Sequence, residues 1–389
     1  MASQLALTPR EETKSENRAA NGDRLARDAI VLSGWTWEAF NVPERISLAL
    51  ARLGARVLYC ENPVSFFRGK AHSRQEVERG IYRTGLEFLG HRLNRIPVFF
   101  PQVQSRLLAG QIMRNAKDLE LRNPLFVYPH GDFVSLCSEF KKKGFFLVHV
   151  CMDYPESGQA RLIELSDVTL VIPKSLYRGL ETEYGSKVQV IPQVTRLFDS
   201  ADSQSASAAD ESELEGIPRP RLGYLGAVER RLNLSILSQV LTAHPEWQFL
   251  HFGGSKCLPL ANVHVLPWRE PRRLREVIAN LDLGFMPYSC DDNRNLHCVP
   301  LKLFDYFAQG TPVVSTRVVN LAEFSDTIYF GDDADQVCSA IQLALKEPLD
   351  SPLKLKRRAI ARGNSIDTLA DALAEILSFD GKASSVAAE

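Results

Sequence analysis

Lys302 and Asp305 stand three residues apart in the stretch VPLKLFDYFAQGTPVVST, Val299 to Thr316. Pro300 suits the first position of a helix, Gly310 a left-handed cap at its end, and Pro312 keeps the helix from running on. The stretch therefore predicts a helix of about nine residues and then a buried strand. Leu301, Phe304 and Ala308 share the inward face, while Lys302, Asp305 and Gln309 share another, close to the positive end of the helix dipole. Free backbone N–H groups with a lysine beside them suit a phosphate or diphosphate. A carboxylate one turn further in can accept hydrogen bonds from sugar hydroxyls. A sugar nucleotide offers both groups. The plainer alternative is an exposed Lys–Asp ion pair, contributing a few tenths of a kcal/mol.

Two further residues sit where strands hand over to loops. Asp153 in HVCMDYPE could bind a reacting hydroxyl or a sugar, or simply form an Asx turn. His130 in VYPHGDF holds a comparable position, and a lone histidine there is as readily structural. Trp35 and Trp37 in SGWTWEAFNVPERI could stack on a sugar face or pack at a domain boundary.

Alternating strands and helices must position these residues. In the first half AIVLSG is a buried strand, and PERISLALARLG places Pro43 at a helix start, Ile46, Ala49, Leu50 and Leu53 on one face and Gly54 at its end. RVLYCE, PLFVYPHGD, FFLVHVCMDYP, VTLVIP and VQVIP are the later strands, with ESGQARLIELSD and KSLYRGLETEYG as helices between them. The second half repeats the alternation in RLGYLG, NLSILSQVLTAHP, QFLHFGG, VHVLPW, EPRRLREVIANL, LGFMPY, the Lys302 helix, PVVST and TIYFG. Such a pattern implies parallel sheets, with ligands bound at the carboxyl ends of the strands. The expected fold is α/β: two doubly wound Rossmann-like domains facing across a cleft.

Composition bounds the rest. The chain has 389 residues, enough for two cores. Residues 1–27 are polar and aperiodic. Residues 28–198 form the expected first domain, the Ser-, Ala- and acid-rich stretch 199–216 a linker, 217–380 the second domain with a terminal helix, and 381–389 a polar tail. A formal net charge of -1 gives no general attraction to nucleic acid. Seven scattered cysteines without a CxxC pair suit free thiols in a reducing compartment. No run approaches the length of a spanning helix, so a cytoplasmic protein is expected, with a peripheral contact at the inner face of a membrane compatible with it.

The stretch PLKLFDYFAQGTPVV resembles the donor-binding segment of retaining glycosyltransferases of the GT-B fold, particularly glycosyltransferase family 4 (group 1). In that family the acidic position is usually Glu and holds the ribose of the nucleotide; here it is Asp305, one methylene shorter. A second Glu, eight residues earlier in many members, contacts the donor sugar; in this chain that place falls near His297. PRLGYLGAVERRLNLSILSQVLTAHPEWQFLHFGG is similar to the family's first strand–loop–helix of the donor domain. The resemblance implies that Gly226 lets the backbone approach the diphosphate and that Arg231, with Arg230 as the alternative, neutralises it. Trp268 and Arg269 become neighbours of the base.

The resemblance implies transfer of a sugar from a nucleoside-diphosphate sugar to a hydroxyl acceptor with retention, in polysaccharide or glycoconjugate synthesis. The acceptor would be a glycan or a lipid-linked intermediate, and the catalytic-side candidates are Asp153 and His130. The sugar nucleotide is a co-substrate; no further cofactor and no metal are expected, since the sequence offers no Asp-x-Asp between strands of the kind that holds a divalent ion and no HxxxH or CxxC cluster. Other readings of the same alternation are a sugar epimerase or phosphorylase, a non-catalytic sugar-nucleotide or glycan binder, and a nicotinamide dehydrogenase. The last lacks GxGxxG after its first strand.

Overall fold

Each short apolar run ended by a turn residue forms a parallel strand in the computed structural model, which describes residues 27–37, 41–67, 69–89, 100–129, 133–152, 158–198, 214, 216–226, 231–254, 257–269, 271–290, 295 and 297–378. The first domain begins with β1 (Ala29–Leu32), α1 (Val42–Arg52), β2 (Val57–Cys60), β3 (Val64–Ser65), β4 (Gln75–Glu78), β5 (Ile81–Thr84) and β6 (Glu87–Phe88). It continues with α2 (Phe100–Asp118), β7 (Leu125–Tyr128), α3 (Val134–Lys142), β8 (Leu147–Cys151), α4 (Gln159–Leu165), β9 (Val168–Val171), α5 (Lys174–Tyr184) and β10 (Val188–Val190). The second comprises β11 (Arg221–Leu225), α6 (Leu234–Ala243), β12 (Gln248–Phe252), β13 (Val263–Leu266), α7 (Pro271–Ala279), β14 (Leu283–Met286), α8 (Leu301–Gln309), β15 (Val313–Ser315), β16 (Tyr329–Phe330), α9 (Ala334–Leu345) and α10 (Pro352–Arg362). A last helix, α11 (Ile366–Ser378), ends the described chain.

The strand order is β10-β9-β8-β7-β1-β2-β5-β4 in the first sheet and β13-β12-β11-β14-β15-β16 in the second. Among the described strands only β4 runs antiparallel to its neighbour. Each order reverses once, between β7 and β1 and between β11 and β14, and a crevice opens at such a switch point where the crossovers leave in opposite directions. The doubly wound expectation is met in both halves. The region of β3 to β6, which carries no strong alternation, adds two strands to the edge of the first sheet and a separate pair, β3 with β6.

Two corrections concern the ends of elements. Pro300 is the cap residue of α8 rather than its first helical residue, with ψ at 122°. The terminal helix, expected with the second domain, packs Ile366, Leu369, Ala370 and Leu373 into the core of the first, against Ile46, Ala49 and Leu50 of α1. Its apolar stripe finds an uncovered sheet face there. The chain thus crosses between domains twice, and the crossings touch: Thr195 N–H donates to Asn364 O at 2.8 Å. Residues 1–26, most of the 199–216 linker and the 381–389 tail lie outside the described residues.

Candidate active site

Strand ends from both sheets converge on one cavity of about 650 Å3. From the second domain come Tyr224, Leu225 and Gly226 after β11, Gly253 after β12, Trp268 and Arg269 after β13, Tyr288 after β14, and Arg231. From the first come Trp35 and Trp37 after β1, Asn41 capping α1 and Arg45 within it, while Pro300 to Lys302 and Asp305 bring in the start of α8. The volume falls in the range of small-molecule sites.

Helix α8 is held in place by its own motif. Tyr306 donates its hydroxyl proton to Gly223 O at 2.9 Å and accepts from Leu225 N–H at 3.1 Å, which pins the helix to β11. The ring fits because residue 284 is glycine: a Cβ there would lie 2.6 Å from Tyr306 Cδ2. Gly310, at φ 74°, caps the helix in the left-handed conformation that a glycine adopts freely. On the polar face of α8 Asp305 is buried under groups of the first domain, while Lys302 and Gln309 are half-buried.

Lys302 and Asp305 therefore do not form a surface ion pair. Asp305 is 5% exposed. It accepts from Thr195 Oγ1 at 2.7 Å and faces Arg45 Nη2 at 3.5 Å. The Lys302 ammonium lies 3.8 Å from the centre of the Tyr224 ring and 5.6 Å from that of Tyr288, a cation–π arrangement, and has no ion pair among the described residues. Its pKa is lowered to about 7, chiefly by burial; Cys298 and Asp305 oppose the shift, and Arg231 adds to it. An anion in the cavity would restore the charge.

Gly226 and Arg231 complete that corner. Gly226 has φ 122°, and a Cβ on it would lie 3.2 Å from Lys302 Nζ, so the glycine keeps the space above the ammonium open. Arg231 donates to Cys298 Sγ at 3.0 Å, and its carbonyl accepts from Ser289 N–H and Asn295 Nδ2, both at 2.8 Å. Together with the N-terminal N–H groups of α8 these cations line a corner at the mouth of β11 whose chemistry suits an anion.

The other predicted residues divide. Trp268 is 43% exposed, lines the cavity and lies over Gly253, where a Cβ would meet its ring at 2.3 Å. Arg269 lines the same wall. Trp35 is half exposed at the cavity. Trp37 is packing, edge-to-face on Tyr59 at 4.9 Å with its backbone N–H donating to Glu61 Oε1. His297 is not among the cavity residues; its Nδ1 lies 2.8 Å from Ser175 Oγ of α5, and burial lowers its pKa. Asp153, His130 and Arg230 lie outside the described residues.

Sequence reasoning missed Arg45, Thr195, Tyr224 and Tyr288. Arg45 belongs to a buried charge network, in which Arg196 pairs with Glu44 at 2.9 Å and with Glu78 at 3.0 Å. The one signal was composition: three of the four residues Glu44 to Ser47 are polar, in a helix otherwise apolar up to Arg52 at its end.

Comparison with known proteins agrees with this geometry. Residues 219–347 match the family described as Glycosyl transferases group 1. The chain is 24% identical over 277 residues to the protein of Bacillus subtilis (strain 168) named "Putative teichuronic acid biosynthesis glycosyltransferase TuaH"; the match covers 68% of this chain and 66% of that protein's length. Among solved structures, sucrose-phosphate synthase from Thermosynechococcus elongatus superposes with TM-score 0.65 at 16% identity, covering 92% of this chain and all of that one. The trehalose-6-phosphate protein of E. coli bound with UDP-2-fluoro glucose gives 0.63 at 11%, covering 90% and 98%. The fold is GT-B, and the resemblance carried by the Lys302 segment falls inside the matched 219–347.

Proposed function

We propose that this chain is a glycosyltransferase that moves a sugar from a nucleoside-diphosphate sugar to a hydroxyl acceptor with retention of configuration. The observation that carries the reading is the Lys302 ammonium: buried, without a carboxylate partner among the described residues, and facing the open space above Gly226 beside Arg231. A buried cation so placed favours a dianionic group. Trp268 and Arg269 offer a wall for the base, and Asp305 a carboxylate for the ribose.

In this reading the bond from the anomeric carbon to the diphosphate oxygen breaks, its electron pair stays on the phosphate, and Arg231, Lys302 and the α8 N-terminus stabilise that charge. The acceptor oxygen attacks from the same face, and its proton passes to the leaving phosphate. The first domain holds the acceptor, with Trp35 at the cavity and Asp153 and His130, which follow β8 and β7 in the sequence, as the candidate contacts. The teichuronic acid biosynthesis in TuaH's name supports a glycan or lipid-linked acceptor in polysaccharide synthesis.

Calorimetric titration with UDP-, GDP- and dTDP-sugars tests the reading. One nucleotide class should bind, and Lys302→Ala and Asp305→Ala should each weaken it. A folded protein that binds none of them would sink the proposal. Binding without donor hydrolysis or transfer would leave a sugar-nucleotide binder instead.

A further inference from the structure

Among its described residues the first domain exposes four large apolar side chains besides the cavity residue Trp35. They are Phe66 and Phe67, at 65% and 76% exposure, and Val103 and Leu107 on α2, at 40% and 46%. All four belong to one connected region. Phe66 N–H donates to Phe88 O of β6 at 2.9 Å. The neighbouring Glu87 is clasped at both backbone groups by Gln111 of α2, at 2.9 and 2.7 Å. Gln111 stands one turn after Leu107. The opposite side of α2 is occupied, since Leu108, Ala109, Ile112 and Ala116 pack into the core with Leu86 and Phe88. The exposed side is therefore spare surface.

That side is also cationic. Arg106 lies between Val103 and Leu107, and Arg114 and Lys117 come later on the same exposed face; Lys70 stands just after the phenylalanine pair. None of these four cations has an ion pair among the described residues. From Phe66 to Lys117 the sequence holds ten Lys and Arg against three Asp and Glu, in a chain whose charges otherwise balance. Aromatic and aliphatic side chains on a soluble domain cost hydration unless something covers them. Two adjacent phenylalanines, packed edge-to-face at 6.0 Å, inside a field of unpaired cations match the apolar boundary and negative surface of an anionic bilayer. No helix among the described residues is long and apolar enough to cross a membrane, so the contact would be peripheral.

We propose that the Phe66–Phe67 turn and the outer face of α2 dock this chain on an anionic lipid surface. The inference stands on this surface alone and does not depend on the donor chemistry of the cavity.

Co-sedimentation of the full chain with vesicles tests it, using phosphatidylcholine alone and phosphatidylcholine with phosphatidylglycerol. The chain should pellet with the anionic vesicles and stay in solution with the neutral ones. Arg106→Gln/Arg114→Gln should weaken binding by about fivefold for each cation removed, and Phe66→Ser/Phe67→Ser should weaken it at least as much. Sugar-nucleotide titration should give the same result for both double variants as for the parent, which separates this surface from the cavity. The proposal is overturned if the parent ignores anionic vesicles or if the arginine variant binds as the parent does; the arginine pair decides alone should the phenylalanine variant fail to fold. It is equally overturned if the parent is a dimer that Phe66→Ser/Phe67→Ser dissociates, because the face then joins two copies of the chain.

Discussion

Arg45 of the first domain and Asp305 of the second meet across the cleft at 3.5 Å, with side chains 1% and 7% exposed. Thr195, in the segment that links the domains, holds the other carboxylate oxygen at 2.7 Å. The acid proposed to hold the donor ribose is thus positioned by groups outside the second domain. Burial lowers the Arg45 pKa, and Asp305 and Glu44 counteract it.

Removing one member of that pair strands the other in the interior. Arg45→Ala should lower the stability of the protein by about 3–5 kcal/mol. Arg45→Met combined with Asp305→Asn should lose less than the sum of the single losses, by about 0.5–3 kcal/mol. Urea unfolding of the parent, the three single variants and the double variant measures both; strict additivity would show that the pair contributes nothing.

Lys302 should behave differently. Its ammonium is buried without a carboxylate partner among the described residues, so Lys302→Met should leave stability unchanged or raise it, while weakening nucleoside diphosphate by about 1.5–3 kcal/mol, the range of a hydrogen bond to a charged group. A thermal melt and a titration on the same sample read the two effects. A variant that loses stability and keeps its affinity would assign the lysine to the fold.

The same lysine predicts a pH profile. Its folded pKa is about 7 against the ordinary 10.5. Between those values the unfolded chain binds the extra proton, so the free protein should gain stability as pH rises through this window. Diphosphate binding raises the pKa again. Affinity should therefore be highest below pH 7 and fall above it, by up to about tenfold per pH unit, with proton uptake on binding at pH 8. Calorimetry in buffers of different ionisation enthalpy detects that uptake, and a flat profile would remove Lys302 from the anion site.

Gly226 and Tyr306 test the framework around it. Gly226→Ala places a methyl in a left-handed backbone and 3.2 Å from Lys302 Nζ. It should cost about 1–3 kcal/mol of stability and displace the ammonium, weakening the donor. Tyr306→Phe leaves Gly223 O and Leu225 N–H without their partner and should cost about 1–3 kcal/mol, again by urea unfolding. An unchanged midpoint in both would mean that α8 is anchored elsewhere.

What the sequence by itself determined is local. Apolar runs of four or five residues between Gly, Pro and Asn fix the strands, and Pro300, Gly310 and Pro312 bound the helix. The Lys302 motif marks the donor domain, because strand burial, capping and motif are properties of neighbours along the chain. Only the tertiary structure decided that Asp305 on the polar face of α8 is covered and meets Arg45, 260 residues earlier, that Lys302 lies on Tyr224, and that α11 returns to the first domain. Those outcomes depend on which faces meet when two sheets and their crossovers close on one another, and no window of sequence contains both partners.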